Sequence, residues 1–161
     1  MRRTIIAIAI VVLCLVGFAA WPVYRQIPQG SAVVVLTFVH SAGRKVACRR
    51  LTSQEIAKLP PNMRRALDCP RERRPVYVEL DLGGHNIYRA SLAPTGIAGD
   101  GPSRVYHRFV VPAGEHSIAV RMRDSARAAG FDHERQGRVT LAPDQMFAID
   151  FRSGNGEFVF R

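Results

Sequence analysis

The stretch Val76-Tyr77-Val78-Glu79-Leu80-Asp81-Leu82-Gly83-Gly84 decides the fold class of this chain. Apolar side chains occupy every second position from 76 to 82, which is the period of a β-strand with one buried face. The Gly83-Gly84 pair is a two-residue turn signal, so residues 86–92 are expected to return as the second strand of a hairpin.

The same pattern of short strands and turn residues continues to the C-terminus. Further strands are predicted over residues 32–40, 44–51, 104–111, 116–123, 137–141, 146–152 and 157–161. Seven to nine short strands at regular spacing predict a mostly β domain, an immunoglobulin-like or transthyretin-like β-sandwich.

The run Phe109-Val110-Val111-Pro112-Ala113-Gly114-Glu115-His116-Ser117-Ile118-Ala119-Val120 joins two of these strands. It resembles the strand–PxGEH–strand feature of PEGA-type and carboxypeptidase-regulatory-like sandwich modules, and the resemblance covers residues 109–120. It implies a sandwich fold and a non-catalytic, extracytoplasmic, often membrane-tethered role.

The N-terminal segment differs in kind from the domain. Residues 4–24 carry no charge, and 21 residues in a helix span about 30 Å, the hydrocarbon thickness of a bilayer. Trp21 and Tyr24 lie where interfacial aromatic residues are found. Arg2-Arg3 precedes the run, so the positive-inside rule places the N-terminus in the cytoplasm.

These features predict a single-pass protein of the bacterial inner membrane. We predict a transmembrane anchor over residues 1–24, a linker over 25–31 and a periplasmic domain over 32–161. A cleaved signal peptide is the alternative, with Gly17-Phe18-Ala19 as its small-x-small site, but the apolar run is long for such a peptide.

Cys48 and Cys69 are the only cysteines of the predicted periplasmic domain. Two such cysteines are expected to pair in an oxidising compartment. The alternative is a copper or redox thiol pair with Met63 or a histidine as a further ligand, although such ligands are usually spaced more closely.

Positive charge is concentrated in residues 44–74, which carry ten basic and three acidic residues, whereas residues 75–161 carry ten of each. A nucleic-acid-binding domain usually spreads basic residues over its main fold, so no nucleic-acid partner is predicted. Thr52 and Glu55 form a capping-box pattern and Pro60-Pro61 ends a helix, which predicts a basic helical insertion at about 52–70.

The basic surface predicted from this segment has three interpretations: an ordinary solvated face, a face on anionic inner-membrane lipid, or a docking surface for an acidic membrane protein. The short linker is expected to keep the segment near the bilayer. The surface consists of Arg44, Lys45, Arg49, Arg50, Arg64, Arg65, Arg71, Arg73 and Arg74.

No catalytic motif is found. His133-Glu134 begins a zinc-protease pattern, but Gly137 replaces its second histidine, and the chain has no G-x-S-x-G, C-x-x-C or P-loop. The histidines are not spaced to share a helix face, and the acidic residues at 100, 124, 132 and 134 fall in loop-like regions. We therefore predict no enzymatic activity, no cofactor and no metal.

The loop 93–103 is long for a hairpin connection, which makes it a candidate contact loop together with Asp100, Tyr106 and His107. Taken together, the sequence predicts a membrane-anchored periplasmic accessory protein that docks on or helps to assemble an inner-membrane complex. The alternatives are a copper- or thiol-handling protein and a glycan- or peptidoglycan-binding module.

Overall fold

The protein is mostly β, as predicted. The structure is a computed structural model that describes residues 2–20 and 27–161. Its strands are β1 (Ser31–His40), β2 (Arg49–Arg50), β3 (Leu67–Asp68), β4 (Val76–Leu82), β5 (His85–Leu92), β6 (Ser103–Pro112), β7 (Gly114–Arg123), β8 (His133–Leu141), β9 (Met146–Arg152) and β10 (Glu157–Phe160).

Eight of these strands form two four-stranded sheets, and β2 pairs with β3 in a separate two-stranded unit. The sheet orders are β10–β9–β1–β6 and β5–β4–β7–β8. β1 runs antiparallel to β6 along all ten of its residues and parallel to β9, with Val33 opposite Met146. All other strand pairs are antiparallel.

A single apolar core is built from both sheets. Leu36 of β1 and Phe158 of β10 are buried with Leu80 of β4 and Ile118 of β7. Every second residue of β4, and of β7 from Ile118 to Met122, contributes to this core, because alternate side chains of a strand point to one face. Burying each such side chain stabilises the fold by roughly 1.5–3 kcal/mol.

The run 109–120 is a strand, a turn and a strand, but its two strands belong to different sheets. β6 lies at the edge of one sheet and β7 inside the other, so the turn carries the chain across the core. Gly114 has a φ of +132°, a conformation that residues with a side chain rarely adopt, which explains the glycine at this crossing.

The helix α1 spans Arg2–Ala20. Within the described residues, no helix has the length and apolar character needed to cross a membrane. The transmembrane anchor predicted over 1–24 is therefore not supported by the described helix. Met1, Trp21, Tyr24 and the first two residues of the predicted linker lie outside the described residues.

The predicted helical insertion is present. Helix α2 spans Ser53–Lys58, and a 3₁₀ turn follows at Pro61–Met63. The capping box is confirmed, since the Thr52 hydroxyl accepts the N–H of Glu55 and the Glu55 carboxylate accepts the N–H of Thr52. The strand predicted over 44–51 is reduced to the two residues of β2.

Candidate functional site

The long connections of the domain gather at one end, which we call the distal end. β1 enters the fold at Ser31 and ends at His40, and ten residues of strand span about 30 Å. The basic segment follows His40 directly, and the loop that precedes Ser103 lies beside it, because Ser103 pairs with His40. The basic segment thus begins a strand length away from Ser31.

Residues 44–74 form a closed excursion, which we call the basic lobe. Its two ends run side by side, since the N–H of Lys45 donates to the carbonyl of Glu72 (2.9 Å) and that of Arg74 to Gly43 (2.9 Å). The predicted disulfide between Cys48 and Cys69 is present and joins the two arms next to the β2–β3 pair. None of the residues 44–74 is buried.

Three arginines of the predicted basic surface hold the basic lobe in place. Arg73 donates from Nε to the Asp100 carbonyl (2.8 Å) and from Nη1 to the Ala42 carbonyl (3.0 Å). Arg74 and Arg44 donate in the same way to the carbonyls of Lys45 (2.9 Å) and Pro70 (2.8 Å). These guanidinium groups bind backbone carbonyls where the two ends of the lobe join the domain, a region that we call the neck. They therefore have a structural role.

Three more members of the predicted surface form ion pairs inside the basic lobe. Lys45 pairs with Glu72 (2.7 Å), Arg49 with Glu55 (2.7 Å), and Arg65 with Asp68.

The carboxylate of Glu55 accepts several hydrogen bonds at the start of α2. The Thr52 backbone N–H, the Arg49 guanidinium and the Thr52 hydroxyl, in that order of effect, lower the pKa of Glu55 to about 2. Glu55 therefore keeps its charge at every physiological pH, and its bond to Arg49 ties α2 to β2.

The remaining cations of the basic lobe have no carboxylate partner among the described residues. These are Arg50, Lys58, Arg64 and Arg71. Val46, Met63 and Leu67 of the same lobe are 47–60% exposed. Arginine and methionine beside exposed apolar side chains are typical of protein interfaces, whereas a headgroup-binding face needs only the cations.

The predicted contact residues Asp100, Tyr106 and His107 do not converge on one site. Asp100 belongs to the distal end and accepts Arg73 through its backbone carbonyl. Tyr106 and His107 are consecutive in β6 and so point to opposite faces of the sheet. Tyr106 is 68% exposed, whereas the His107 ring lies 4.7 Å from Phe109 and 5.1 Å from Tyr88.

A polar cluster that the sequence did not reveal occupies the distal end at the base of the basic lobe. His40 Nδ1 lies 2.9 Å from the Ser153 hydroxyl, and His40 Nε2 lies 2.6 Å from Asp124 Oδ2. A second imidazole approaches the same oxygen, with His133 Nε2 at 3.6 Å. His133 Nδ1 donates to the Gly156 carbonyl at 2.9 Å.

The cluster is held rigidly by its surroundings. The rings of His40 and His133 pack against Phe151 with centroid distances of 4.9 and 5.0 Å. The side chain of His40 is only 10% exposed and that of Asp124 is 20% exposed. These contacts leave the His40 imidazole little freedom to leave its two hydrogen-bond partners.

The loop after β7 is shaped by Asp132. Its carboxylate accepts the backbone N–H groups of Asp124 (3.0 Å) and Ser125 (3.1 Å) and the Ser125 hydroxyl (3.0 Å). Desolvation raises the pKa of Asp132, but the hydrogen bonds from Ser125 and the Asp124 N–H, with the charge of Arg127, outweigh it and lower that pKa. The charged form of Asp132 therefore fixes the position of Asp124.

No spacing in the sequence could have found this cluster, because His40 and Ser153 are 113 residues apart. The only signal is topological: β1 and β9 run parallel, so residues that end them lie at the same end of the sheet. His40 ends β1, and Ser153 directly follows Arg152, the last residue of β9.

A shallow groove of about 550 Å³ lies on the outer face of the second sheet. Its floor is made by the small residues Ser117, Ala119 and Gly137, and its walls by Asp81, Arg121, Gln136 and Arg138. Asp81 and Arg121 are paired with each other, and the buried Nε of Arg121 has no hydrogen-bond partner among the described residues.

The two cysteines named for the copper and thiol alternative are paired in the structure. Cys48 and Cys69 are bonded to each other, so neither offers a thiolate. In residues 2–20 and 27–161 no three His, Cys, Asp or Glu side chains are placed to hold a metal ion.

No protein-family model matches the chain, and no curated protein matches it. The resemblance to PEGA-type modules therefore rests on residues 109–120 alone.

Proposed function

We propose that this chain is a periplasmic accessory module, tethered at the inner membrane, that docks an acidic protein partner through its basic lobe. The observation that carries the proposal is the composition of the basic lobe: cations that have no carboxylate partner in the described part of the chain stand beside exposed apolar side chains at the distal end of the domain. The docking module serves the assembly of a larger membrane complex.

Of the two predicted architectures, we favour the transthyretin-like one. Lettered A to H in chain order, the eight long strands have the orders H-G-A-D and C-B-E-F. An immunoglobulin domain has the orders A-B-E-D and C-F-G, in which A pairs with B. Here β1 pairs with β6 and β9 instead, which supports the alternative.

The proposed compartment is supported by the disulfide, because such bonds persist in oxidising environments. The proposed tether is the segment 1–24, of which α1 is the described part. The large apolar side chains of α1 from Ile5 to Phe18 are 52–87% exposed, and a helix that is apolar on all sides needs an apolar environment to cover it. Extraction of the protein from membranes by alkaline carbonate would contradict the tether.

An acidic protein fits the basic lobe better than lipid does. The lobe is separated from the start of β1 by about 30 Å, several times the Debye length of about 8 Å at physiological ionic strength. A partner that rises above the membrane surface can reach the distal end, and opposite charge would speed and orient the encounter.

Co-purification of the tagged full-length protein from its own membranes in mild detergent tests this proposal. Arg50→Glu with Arg64→Glu reverses two cations of the lobe without breaking an internal ion pair. The matched control is Arg104→Glu with Arg108→Glu, the same change of charge on exposed residues of β6. We expect a stoichiometric membrane partner that is lost with the lobe variant and kept with the control.

Two outcomes would contradict the proposal. Either the wild-type protein is recovered alone, or the partner is retained equally by both double variants.

A second candidate function, binding of a glycan or peptidoglycan fragment, is favoured by the groove on the second sheet. Ser117, Gln136 and Arg138 line it, and their side chains have no hydrogen-bond partner among the described residues. Calorimetric titration with muropeptides should give binding that Arg138→Ala weakens and Arg152→Ala leaves unchanged. Absence of heat with wild-type protein would remove this candidate.

A further inference from the structure

The geometry points to a hydrolytic site for carboxylic esters at the distal end, with Ser153 as nucleophile, His40 as general base and Asp124 as the residue that positions His40. The three side chains form one hydrogen-bonded chain, from Ser153 Oγ to His40 Nδ1 (2.9 Å) and from His40 Nε2 to Asp124 Oδ2 (2.6 Å). A nucleophile bonded to a base that is itself bonded to a third group is the arrangement that activates a serine.

The hydrogen positions follow from the partners. An ionised carboxylate only accepts, so the hydrogen on the ring of neutral His40 is at Nε2 and points to Asp124. Nδ1 then carries the lone pair and is the nearer acceptor for the hydroxyl hydrogen of Ser153, at 2.9 Å against 3.4 Å for the Val39 carbonyl. In the serine-protease triad Nδ1 faces the carboxylate and Nε2 faces the serine, and here the two nitrogens are exchanged. The two roles are the same, since one nitrogen binds the carboxylate and the other accepts the serine proton.

A donor for the developing oxyanion lies next to the nucleophile. In the turn 153–156, the N–H groups of Asn155 and Gly156 both donate to the Arg152 carbonyl. The N–H of Gly154 has no acceptor among the described residues, and Gly154 itself is exposed. A free N–H on the residue after the nucleophile is one of the two donors that α/β-hydrolases use.

The orienting carboxylate is itself fixed. The backbone N–H of Asp124 donates to Asp132, and His133 approaches Asp124 Oδ2 from the other side. Since the His133 Nδ1 hydrogen is committed to the Gly156 carbonyl, His133 Nε2 offers no hydrogen to Asp124 in its neutral form. The nearer imidazole to Asp124 Oδ2 is that of His40, at 2.6 Å against 3.6 Å for His133.

The reaction balances with water as the only co-reactant. Ser153 Oγ forms a bond to the ester carbonyl carbon while its proton moves to His40 Nδ1 and the carbonyl electron pair moves onto oxygen, near the Gly154 N–H. Return of that pair breaks the bond to the alcohol oxygen, which takes the proton from Nδ1. Water then attacks the acyl-serine by the same path, gives its proton to Nδ1, and the proton returns to Ser153 Oγ as the acid leaves.

A fluorophosphonate probe tests the assignment, because it phosphonylates activated serines. Full-length protein in mild detergent should form one adduct, on the tryptic peptide that contains Ser153. Ser153→Ala should abolish the adduct. Ser91→Ala is the matched control, since Ser91 is an exposed serine of β5 that takes no part in this cluster, and it should leave labelling unchanged.

The base and its positioning residue need a readout that a structural role would not give. His40→Gln should slow labelling by about 10²–10⁴-fold, the usual contribution of a general base. The pH profile of labelling should also differ between wild type and His40→Gln, which a purely structural role would not produce. Asp124→Asn should also slow labelling, and circular dichroism should show that the sheets persist in this variant. The rate of p-nitrophenyl acetate hydrolysis should be lowered by the same variants.

Three results would overturn the inference: no adduct on Ser153 in folded wild-type protein, equal labelling of Ser153 and Ser91, or an unchanged rate in folded His40→Gln. The docking proposal does not depend on this site, because partner recovery is measured separately.

Discussion

The β-sandwich and the basic lobe are stabilised in different ways. The sandwich buries an apolar residue at every second position of its central strands, whereas residues 44–74 contain no buried side chain. The lobe depends on a disulfide, a capping box and guanidinium groups that bind carbonyls. We therefore expect the sandwich to unfold as one cooperative unit. Each stabilising interaction of the lobe can be removed by itself, so the lobe surface is free to vary.

The largest effect should come from the core. Leu36 is fully buried, and Leu36→Ala removes apolar contacts and leaves a cavity, which should lower the free energy of unfolding by about 2–5 kcal/mol. The matched lobe variant Leu59→Ala truncates a partly exposed side chain and should cost less than about 1 kcal/mol. Urea denaturation followed by circular dichroism measures both, and equal losses would show that the lobe shares the core.

Removal of the disulfide should affect the lobe and spare the sandwich. The bond joins residues 21 positions apart, and a loop of this size is worth about 3 kcal/mol on the chain-entropy model. In Cys48→Ser with Cys69→Ser we expect rapid amide exchange and proteolysis within 44–74, with protection of the sandwich strands unchanged. Cys14→Ser is the control, since Cys14 is free. A fall in sandwich protection would mean that the two regions unfold together.

The neck should respond to a single arginine. Arg73→Ala removes two charge-assisted hydrogen bonds to the carbonyls of Asp100 and Ala42, with an expected cost of about 1–3 kcal/mol in lobe protection measured by amide exchange. Arg71→Ala, two residues away, should change it by less than about 0.5 kcal/mol, as exposed substitutions usually do. Equal effects would refute the structural role assigned to Arg73.

The sequence revealed the sandwich because its signals are local. The alternation over 76–82 and the Gly83-Gly84 turn each specify an element without reference to the rest of the chain, and β4 and β5 form as predicted. The disulfide and the capping box at Thr52 were found for the same reason. Strand order was not, because two sheets of antiparallel strands can be connected in several ways that bury the same apolar faces.

The distal end was largely hidden from sequence reasoning. An arginine that binds a carbonyl, such as Arg44 or Arg74, has the same sequence surroundings as one that faces solvent, so a list of basic residues overstates the free charge. The Ser153–His40–Asp124 chain depends on three connections that meet at one end, and the parallel pairing of β1 and β9 places two of them. Position along the chain also misled, since nearness to residue 31 in sequence became the length of a strand in space.

The smallest expected effect is the pH dependence of α2. The Thr52 N–H, the Arg49 guanidinium and the Thr52 hydroxyl lower the pKa of Glu55 to about 2, below its value of about 4.3 in an unfolded chain. The folded state therefore favours the charged carboxylate, so the contribution to helix stability is complete above about pH 4.3 and is lost as the pH falls toward 2. Amide exchange of α2 should accelerate over this window before the sandwich strands open. In Glu55→Gln, the amides of α2 should exchange faster at neutral pH and show no further acceleration between pH 4 and 2. An acceleration that persists in this variant would assign the titration to another group. The disulfide would then be the main constraint on α2.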